Sequence, residues 1–215
     1  MKKLILFDLD GTVLDTEADM LFCANRLFAQ NGYPTIDSET VRRANGKDAH
    51  GYMRTLAGDA VSDTEIARLW QDYLKLIATN GADHTTVFDG VAEVLLALQQ
   101  KGYILAALTN KAENEMPVFK AGILRTLPFD RVMAVGGTAD AKPSPAAVQK
   151  CLQHYGVTKE NTFLVGDGEL DILTALAADI HPVAVLWGSR TRAQLAAVGA
   201  TVFATHPNEL LDILA

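Results

Sequence analysis

The chain opens on a short apolar run that ends in paired acids, Leu4-Ile5-Leu6-Phe7-Asp8-Leu9-Asp10-Gly11-Thr12. An apolar run of this length predicts a strand buried within a parallel sheet. Such sheets bind ligands beyond the carboxyl ends of their strands, so Asp8 and Asp10 are expected to face a site. Alternation along the extended chain turns both carboxylates to one side, while Gly11 permits a tight turn. Two carboxylates held this close need a cation, or one must take a proton.

The composition is typical of a soluble globular protein. The 215 residues are 49% hydrophobic and 21% charged, without low-complexity tracts or evident repeats. The net charge of −7 and a pI near 5.2 argue against a nucleic-acid backbone or an anionic membrane as the main partner. Neither value excludes a small anionic ligand that binds where positive charge gathers locally.

The sequence shows no export signal and no membrane-spanning segment. Asp8 interrupts the apolar run behind Lys2 and Lys3 too early for a signal peptide. No apolar stretch approaches the roughly 20 residues that cross a bilayer. A cytoplasmic location is therefore expected, and the two cysteines, Cys23 and Cys151, are expected to be reduced thiols without a chemical role.

Hydrophobic periodicity divides the chain into a helical segment and a segment of alternating helices and strands. Helical spacing runs over residues 20–28 and returns over residues 66–77, behind a capping box at residues 62–65. From Asp89 onward the alternation predicts an α/β fold with a parallel sheet. The predicted strands are 104–108, 131–135, 162–165 and 183–186, and the predicted helices are 91–101, 145–155, 170–177, 192–198 and 208–214. The helices before residue 85 form either an insert or a cover for one face of the sheet.

Four separated segments resemble the motifs of the haloacid dehalogenase superfamily of hydrolases and phosphatases. In chain order they are Asp8-Leu9-Asp10-Gly11-Thr12, Thr109 in Leu108-Thr109-Asn110-Lys111, Lys142 in Lys142-Pro143-Ser144-Pro145, and Gly166-Asp167 with Asp171. Each segment alone is frequent by chance, but four in this order at predicted strand ends make a strong signal. The resemblance implies a three-layer, Rossmann-like parallel-sheet core of residues 1–15 and 85–215, with residues 16–84 as an inserted all-helical cap domain.

The resemblance also implies phosphoryl transfer and a role for each residue. Asp8 would be the nucleophile that takes the phosphoryl group, and Asp10 the general acid and base. Thr109 and Asn110 would bind the phosphoryl group, and Lys142 would neutralise its charge. From their chemistry alone, two carboxylates, a lysine and a hydroxyl suit a phosphoryl group. A threonine that only caps the next turn is the competing interpretation of Thr109.

The acidic residues of this set predict a divalent cation. Oxygen ligands from several carboxylates suit Mg2+ best, whereas the five scattered histidines show no zinc-ligand spacing. By resemblance the ligands would be Asp8, the main-chain carbonyl of Asp10, and Asp167, with Asp171 supporting them. One residue departs from the family pattern, because many relatives have serine or threonine after the fourth-motif aspartate and this chain has Gly168. The departure puts a supporting hydrogen bond near the metal in doubt.

Within the superfamily the resemblance is greatest to the phosphoglycolate-phosphatase-like branch, through Leu14-Asp15-Thr16, Thr109-Asn110-Lys111 and Trp187-Gly188-Ser189-Arg190. It implies a magnesium-dependent phosphomonoesterase that acts through an aspartyl phosphate. The substrate would be a small phosphorylated metabolite, which is phosphoglycolate-like, a sugar phosphate or a nucleotide. Lys47, in a basic segment of the cap, is the candidate substrate contact. A basic helix end that complements the helix dipole explains Lys47 equally well.

The alternatives are a phosphosugar mutase of the beta-phosphoglucomutase type, a signalling receiver, and a non-catalytic binder of phosphate esters. Mutases of that type commonly carry a histidine in the first cap helix, where this chain has Met20. Receivers are shorter, lack a helical insert and place the acceptor aspartate on a later strand. A non-catalytic binder is disfavoured because every predicted catalytic position is occupied. The sequence leaves a monomer and a homodimer equally open.

Overall fold

A six-stranded parallel sheet forms the centre of the protein in its computed structural model, which describes residues 2–80 and 82–215. The strands in chain order are β1 (Leu4–Phe7), β2 (Leu14–Asp15), β3 (Thr86–Val87), β4 (Ile104–Thr109), β5 (Arg131–Ala134), β6 (Thr162–Gly166), β7 (His181–Val185) and β8 (Phe203–Ala204). The sheet has the order β5-β4-β1-β6-β7-β8, and β2 and β3 form a separate antiparallel pair. β1 is therefore central, between β4 and β6.

Ten α-helices accompany the sheet in the described part of the chain. They are α1 (Glu17–Asn31), α2 (Ser38–Ala44), α3 (Ala49–Ala57), α4 (Asp63–Asn80), α5 (Val91–Gln100), α6 (Met116–Ala121), α7 (Ala146–Tyr155), α8 (Glu169–Ala177), α9 (Arg192–Ala197) and α10 (Leu210–Ile213). None of these helices combines the length and hydropathy that a membrane-spanning helix requires.

Alternation along β1 explains why helices cover both faces of the sheet. Ile5 and Phe7 pack into an apolar cluster with residues of α5, α6 and α10, whereas Leu4 and Leu6 pack into a second cluster with residues of α7 and α8. All four side chains are at most 1% exposed. Burial on both faces requires a continuous apolar run rather than an alternating one. The predicted α/β fold with a parallel sheet is confirmed.

Two predicted elements differ from the structure by more than one residue at an end. β7 begins at His181 rather than at residue 183, because His181 and Pro182 extend the pairing with β6 although neither is typical of a buried strand. The helix predicted over 208–214 is split into a 3-10 turn, Pro207–Glu209, and α10. The carboxylate of Glu209 fastens this turn by accepting hydrogen bonds from two preceding main-chain amides.

The helices α1 to α4, called the cap below, form a layer with its own apolar cluster. The cluster includes Phe28 of α1, Val41 of α2, Met53 of α3 and Leu69 of α4. The pairing of β2 with β3 brings the two ends of this layer together. The predicted helical insert is thus present, while its boundaries at residues 16 and 84 as a separate domain stay a prediction.

Asp19 joins the two segments that lead into and out of the cap. Its carboxylate is buried and accepts hydrogen bonds from the main-chain amide of His84 at 3.0 Å and from the Thr85 hydroxyl at 2.6 Å. The Nδ1 atom of His84 lies 2.9 Å from the same carboxylate. The first turn of α1 is therefore bound directly to the segment that follows α4.

The two cysteines are buried free thiols, as predicted from the sequence. Cys23 lies in α1 and Cys151 in α7. Burial raises the pKa of Cys23 to about 12 and the pKa of Cys151 to about 11. Both thiols therefore stay protonated and poorly reactive at neutral pH.

Candidate active site

All eight residues singled out in the sequence line one cavity at the carboxyl edge of the sheet. They are Asp8, Asp10, Lys47, Thr109, Asn110, Lys142, Asp167 and Asp171. Because β1, β4 and β6 are neighbours in the sheet, residues at their carboxyl ends meet although they lie far apart in the chain. The segment between β5 and α7 adds Lys142, and the segment between α2 and α3 adds Lys47 from the cap.

A lysine ties two of the buried carboxylates together. The Nζ atom of Lys142 lies 2.8 Å from Asp8 Oδ1 and 2.6 Å from Asp171 Oδ1, and all three residues are buried. Asp167 completes the group, because one carboxylate oxygen from each of Asp8, Asp167 and Asp171 lies within 4.8 Å of the others. With all three carboxylates ionised, this group and the one ammonium group carry a net negative charge in buried surroundings, where screening by water is weak.

Burial raises the pKa of all three carboxyl groups. The pKa of Asp8 rises from its ordinary value of 3.8 to about 7, through burial and then the charge of Asp171, which Lys142 offsets in part. The pKa values of Asp167 and Asp171 are raised by the same burial and by repulsion from a neighbouring carboxylate. Burial acts to lower the pKa of Lys142, but Asp171 and Asp8 outweigh it and raise that pKa, so the ammonium group persists. The site as a whole therefore favours added positive charge.

The donor set of this group fits a hard divalent cation. Asp8, Asp167 and Asp171 offer three buried carboxylates, and no histidine or cysteine from residues 2–80 and 82–215 lines the cavity. A ligand set made only of oxygen atoms suits Mg2+ or a similar cation rather than zinc. A bound cation would relieve the same repulsion that contributes to the raised carboxyl pKa values. The arrangement is therefore that of a divalent-cation site.

Asp167 is oriented by hydroxyl and amide groups from two other loops. The Thr12 hydroxyl donates to one of its oxygens at 3.1 Å, and the amide and hydroxyl of Ser189 donate to the other at 2.7 Å each. Gly168 donates its main-chain amide to Asp171 at 3.0 Å. The hydrogen bond that Gly168 put in doubt thus has a substitute in Ser189. Ser189 was not expected in the site, and the available signal is its place in the loop that follows β7, four residues past the end of that strand.

Two glycines permit this close packing around Asp167. A side-chain carbon at Gly11, whose φ is +82°, would lie 2.4 Å from Asp167 Oδ2. A side-chain carbon at Gly188 would lie 2.3 Å from the carbonyl oxygen of Gly11 and 2.4 Å from the Asp167 side chain. Any larger residue at either position would displace the carboxylate, which explains glycine at both.

Asp10 lies between a hydroxyl group and a second buried lysine. The Thr16 hydroxyl donates to Asp10 Oδ1 at 2.7 Å, and the Nζ atom of Lys111 lies 3.0 Å from the same oxygen. Burial acts to lower the pKa of Lys111, but Asp10 and Glu115 outweigh it and raise that pKa. Lys111 was not expected in the site from its sequence context. The available signal is its place two residues after the end of β4, on the same sheet edge as Asp10.

The residues at the end of β4 support the segment that carries Lys142. The side-chain nitrogen of Asn110 donates to the main-chain carbonyl of Lys142 at 3.0 Å, and the side-chain oxygen accepts from the Lys142 amide at 2.8 Å. The Asn110 side chain is therefore engaged in positioning Lys142. The Thr109 hydroxyl oxygen accepts a hydrogen bond from the amide of Lys111 at 3.1 Å, so Thr109 does cap the next turn. Its own proton remains to be donated toward the cavity.

Lys47 lies at the rim of the cavity, on the cap side. Its Nζ atom donates to the Thr55 hydroxyl at 2.7 Å, and the residue is exposed. Arg190 of the core binds the preceding cap segment. Its guanidinium group pairs with Glu169 at 2.8 Å and donates to the main-chain carbonyl of Asn45 at 2.6 Å. Core and cap are thus bound to each other close to Lys47.

The chain matches the family model of the haloacid dehalogenase-like hydrolases over residues 5–185. The phosphoglycolate phosphatase of Colwellia psychrerythraea is 32% identical over 197 residues, which cover 87% of this chain and 85% of the relative. The N-acetylmuramic acid 6-phosphate phosphatase of Pseudomonas aeruginosa is 29% identical, over 99% of this chain and 94% of the relative.

Solved structures agree with these sequence relatives. A protein of Lactobacillus delbrueckii subsp. bulgaricus, provisionally named a phosphoglycolate phosphatase, superposes with a TM-score of 0.89 at 28% identity and covers 100% of this chain and 99% of its own. A haloacid dehalogenase-like family protein of Streptococcus pneumoniae superposes with a TM-score of 0.85 at 24% identity, covers 100% and 99% of the two chains, and shows the same fold. The chain belongs to the haloacid dehalogenase-like hydrolases. Within that family it is an enzyme of the phosphatase kind.

Proposed function

We propose that the protein is a magnesium-dependent phosphomonoesterase that hydrolyses a small phosphorylated metabolite through a phosphorylated aspartate. The observation that carries the proposal is the buried contact of Lys142 with Asp8 and Asp171, beside Asp167. An anionic ester that approaches Asp8 would otherwise meet uncompensated negative charge. The names of the relatives, which act on phosphoglycolate and on a phosphorylated amino sugar acid, support a small phosphate ester as the substrate.

In the first half of the proposed reaction, a carboxylate oxygen of Asp8 attacks the phosphorus atom, and the bond from phosphorus to the leaving oxygen breaks. Asp10 gives its proton to that oxygen, so the leaving group departs as a neutral alcohol. Lys142 and the Thr109 hydroxyl donate to the phosphoryl oxygens as charge develops on them.

In the second half, a water molecule attacks the phosphorus atom of the phosphorylated Asp8. Asp10, now a carboxylate, takes a proton from that water. The bond between phosphorus and the Asp8 oxygen breaks, inorganic phosphate leaves, and the carboxylate of Asp8 is restored. Asp10 has then regained the proton that it gave to the leaving group, so the cycle closes.

Asp8, Asp167 and the main-chain carbonyl of Asp10 would hold the Mg2+ ion, with Asp171 supporting them. When bound, the ion supplies positive charge that offsets the negative charge of the carboxylates and of the phosphoryl group. The hydrogen bonds from Thr12 and Ser189 keep Asp167 in one orientation, which is what a ligand of a small, geometrically demanding cation requires.

Phosphate release from a panel of phosphomonoesters, with magnesium or with a chelator, tests the proposal. The native protein is compared with Asp8→Asn and with Asp59→Asn, a matched change at an exposed position. We expect magnesium-dependent release from the native protein and from Asp59→Asn, and a loss of at least about 10³-fold in Asp8→Asn. In a quenched reaction with a radiolabelled ester, label should remain on the native protein and be absent from Asp8→Asn.

Turnover by Asp8→Asn at the native rate would contradict the proposed nucleophile. Formation of an isomeric sugar phosphate with little free phosphate would favour the mutase over the phosphatase. If esters bind without turnover when the assay is repeated with several different divalent cations, the result would favour the non-catalytic binder.

A further inference from the structure

The cap side of the cavity, called the roof below, is aromatic and apolar. Tyr52 of α3 and Trp70 and Tyr73 of α4 form a cluster whose ring centroids lie between 5.4 and 5.9 Å apart, and all three residues line the cavity. Met20 and Ile77 extend this surface. The two tyrosines are almost fully buried, whereas Trp70 is half-buried. A wall of this composition binds uncharged surface of a ligand.

The hydroxyl groups of Tyr52 and Tyr73 in the roof have one proton that is not used in the hydrogen bond between them. The hydroxyl oxygens of Tyr52 and Tyr73 lie 2.8 Å apart, so one hydroxyl donates to the other. The accepting hydroxyl keeps its own proton, and no group among residues 2–80 and 82–215 accepts it. Burial raises the pKa of both tyrosines, so both hydroxyls stay protonated at neutral pH. The pair therefore offers a hydrogen-bond donor to an oxygen atom of a ligand.

The hydroxyl pair belongs to the part of the cavity where the leaving group departs. Tyr52 and Tyr73 line the cavity on the cap side and Asp8 lines it at the end of β1, so in-line displacement directs the leaving oxygen away from Asp8 and toward the cap. Asp10 is the residue proposed to protonate the leaving oxygen. A donor on the cap side of the cavity therefore meets the leaving group rather than the phosphoryl group.

Among the residues that the structure describes, those that line the cavity provide no buried, unpaired cation for a carboxylate on the leaving group. Five acidic residues and three lysines line the cavity among the residues that the structure describes. Lys142 and Lys111 are both paired with buried carboxylates, so their charges are engaged. Lys47 is exposed at the rim, where water screens its charge. A carboxylate on the leaving group would lose its hydration against the aromatic roof without a buried, unpaired cation to compensate its charge.

We infer that the roof is a leaving-group subsite for small neutral polyols and sugars, and that the enzyme prefers their phosphate esters to esters whose leaving group carries a carboxylate, such as phosphoglycolate. The inference rests on the proposed phosphatase function. The apolar C–H surface of the leaving group packs on Trp70. One oxygen atom of the leaving group accepts a hydrogen bond from the Tyr52–Tyr73 pair. The cavity has a volume of about 100 Å³, below the usual range of ligand sites, which favours leaving groups of a few carbon atoms over a nucleoside.

Two pairs of esters that differ only in a carboxylate test the inference on the native protein. They are glycerol 3-phosphate against 3-phosphoglycerate, and 2-hydroxyethyl phosphate against phosphoglycolate, all assayed with magnesium. We expect kcat/KM to be at least about tenfold higher for the neutral member of each pair. An equal or higher value for the carboxylate member would overturn the inference and leave the phosphatase standing. No phosphate release from any ester would overturn the proposed function and the inference together.

The double variant Tyr52→Phe, Tyr73→Phe removes the hydroxyl pair and keeps both rings. We expect kcat/KM for glycerol 3-phosphate to fall about tenfold, and kcat/KM for propyl phosphate, which has three carbons and no hydroxyl, to stay near native. An equal loss for both esters would show that the hydroxyls serve only the packing of the roof, and it would overturn their assignment as donors. Thermal unfolding of the variant establishes that it is folded.

Lys47→Met tests the remaining cation. We expect the ratio of kcat/KM between glycerol 3-phosphate and 3-phosphoglycerate to stay at its native value, because Lys47 is screened at the rim. A loss confined to 3-phosphoglycerate would show that Lys47 binds the carboxylate of the leaving group, which contradicts the inferred preference.

Discussion

The two sides of the cavity are built from opposite chemistry. The sheet edge of the core, called the floor here, contributes five carboxylates and two lysines. The roof contributes three aromatic rings, and the cap residues that the structure describes add one lysine at the rim. Buried charges of like sign must be held in place by counter-charges and hydrogen bonds, whereas an apolar surface needs only contact and shape. On the proposed function, the floor carries out the reaction and the roof selects the ester.

Removing the buried positive charge of Lys142 from the floor should have the largest effect on activity and stability. Lys142→Met keeps a similar volume but leaves the carboxylates of Asp8 and Asp171 without their partner. We expect phosphate release to fall on the order of 10³-fold. We expect the free energy of unfolding at pH 8 to fall by about 3–5 kcal/mol, because an uncompensated buried charge remains.

Steady-state kinetics and urea unfolding measure the two effects. Lys101→Met, a change at an exposed lysine, should leave both quantities near their native values. A Lys142→Met protein as stable as the native protein would mean that the floor is not held together by this lysine.

The pH dependence of stability sharpens the comparison, because the floor contains the carboxyl groups with raised pKa. The pKa of Asp8 is about 7 in the folded protein, above its ordinary value of 3.8, so the folded state binds more protons than the unfolded chain between these values. Stability of the metal-free protein should therefore fall as pH rises from about 5 to about 7. Magnesium should reduce this fall, because it binds the ionised carboxylates.

Thermal unfolding with chelator and with magnesium over this pH range measures the effect. Asp8→Asn, which cannot ionise at this position, should show a smaller fall in chelator than the native protein. A chelated native protein that gains stability from pH 5 to pH 7 would contradict the raised pKa of Asp8.

Removing the Ser189 hydroxyl, which orients Asp167 in the floor, should have a smaller effect. Ser189→Ala removes the hydroxyl that donates to Asp167 at 2.7 Å and leaves the main-chain donor in place. We expect the apparent magnesium affinity to fall about tenfold, which is typical of the loss of a group that orients a metal ligand. Activity titrated with magnesium measures it. Ser62→Ala, a matched change whose hydroxyl accepts from an amide at the start of α4, should alter stability and leave magnesium affinity unchanged.

The smallest expected effect lies where floor and roof are joined. Arg190 pairs with Glu169 of the core and donates to the main-chain carbonyls of Arg42 and Asn45 in the cap. Arg190→Gln should raise KM by about threefold to tenfold and change kcat little, because the cap segment beside the cavity loosens while the floor is untouched. Arg125→Gln, at an exposed position, is the matched control. A large fall in kcat at native KM would place Arg190 in the floor instead.

Much of the floor could be predicted because its residues end strands. A continuous apolar run signals burial, and the first polar residue after it signals the edge of the sheet. Asp8, Thr109 and Asp167 all stand at such ends. Lys111 and Ser189 were not expected, because they lie further along loops whose path depends on contacts with distant segments.

The roof could be predicted only as amphipathic helices. Tyr73 belongs to the apolar stripe at residues 66–77, which predicts a buried face, and it does pack in the cap cluster. The stripe does not distinguish a tyrosine packed on all sides from one whose hydroxyl borders a cavity. Asn110 illustrates the same limit in the core, because its side chain binds the main chain of Lys142 rather than pointing freely toward a ligand.

By itself, the sequence determined the kinds of element, the order of the motifs and the residue types at the strand ends, since these depend on local periodicity and on residues close in the chain. Only the tertiary structure decided which charges and donors meet. The hydrogen bond from Thr12 to Asp167 spans 155 residues, and the one from Lys142 to Asp171 spans 29 residues. The raised carboxyl pKa values and the cation site arise from distances of a few ångströms between such segments, as does the contact between the Tyr52 and Tyr73 hydroxyls. Local sequence pattern carries no information about those distances.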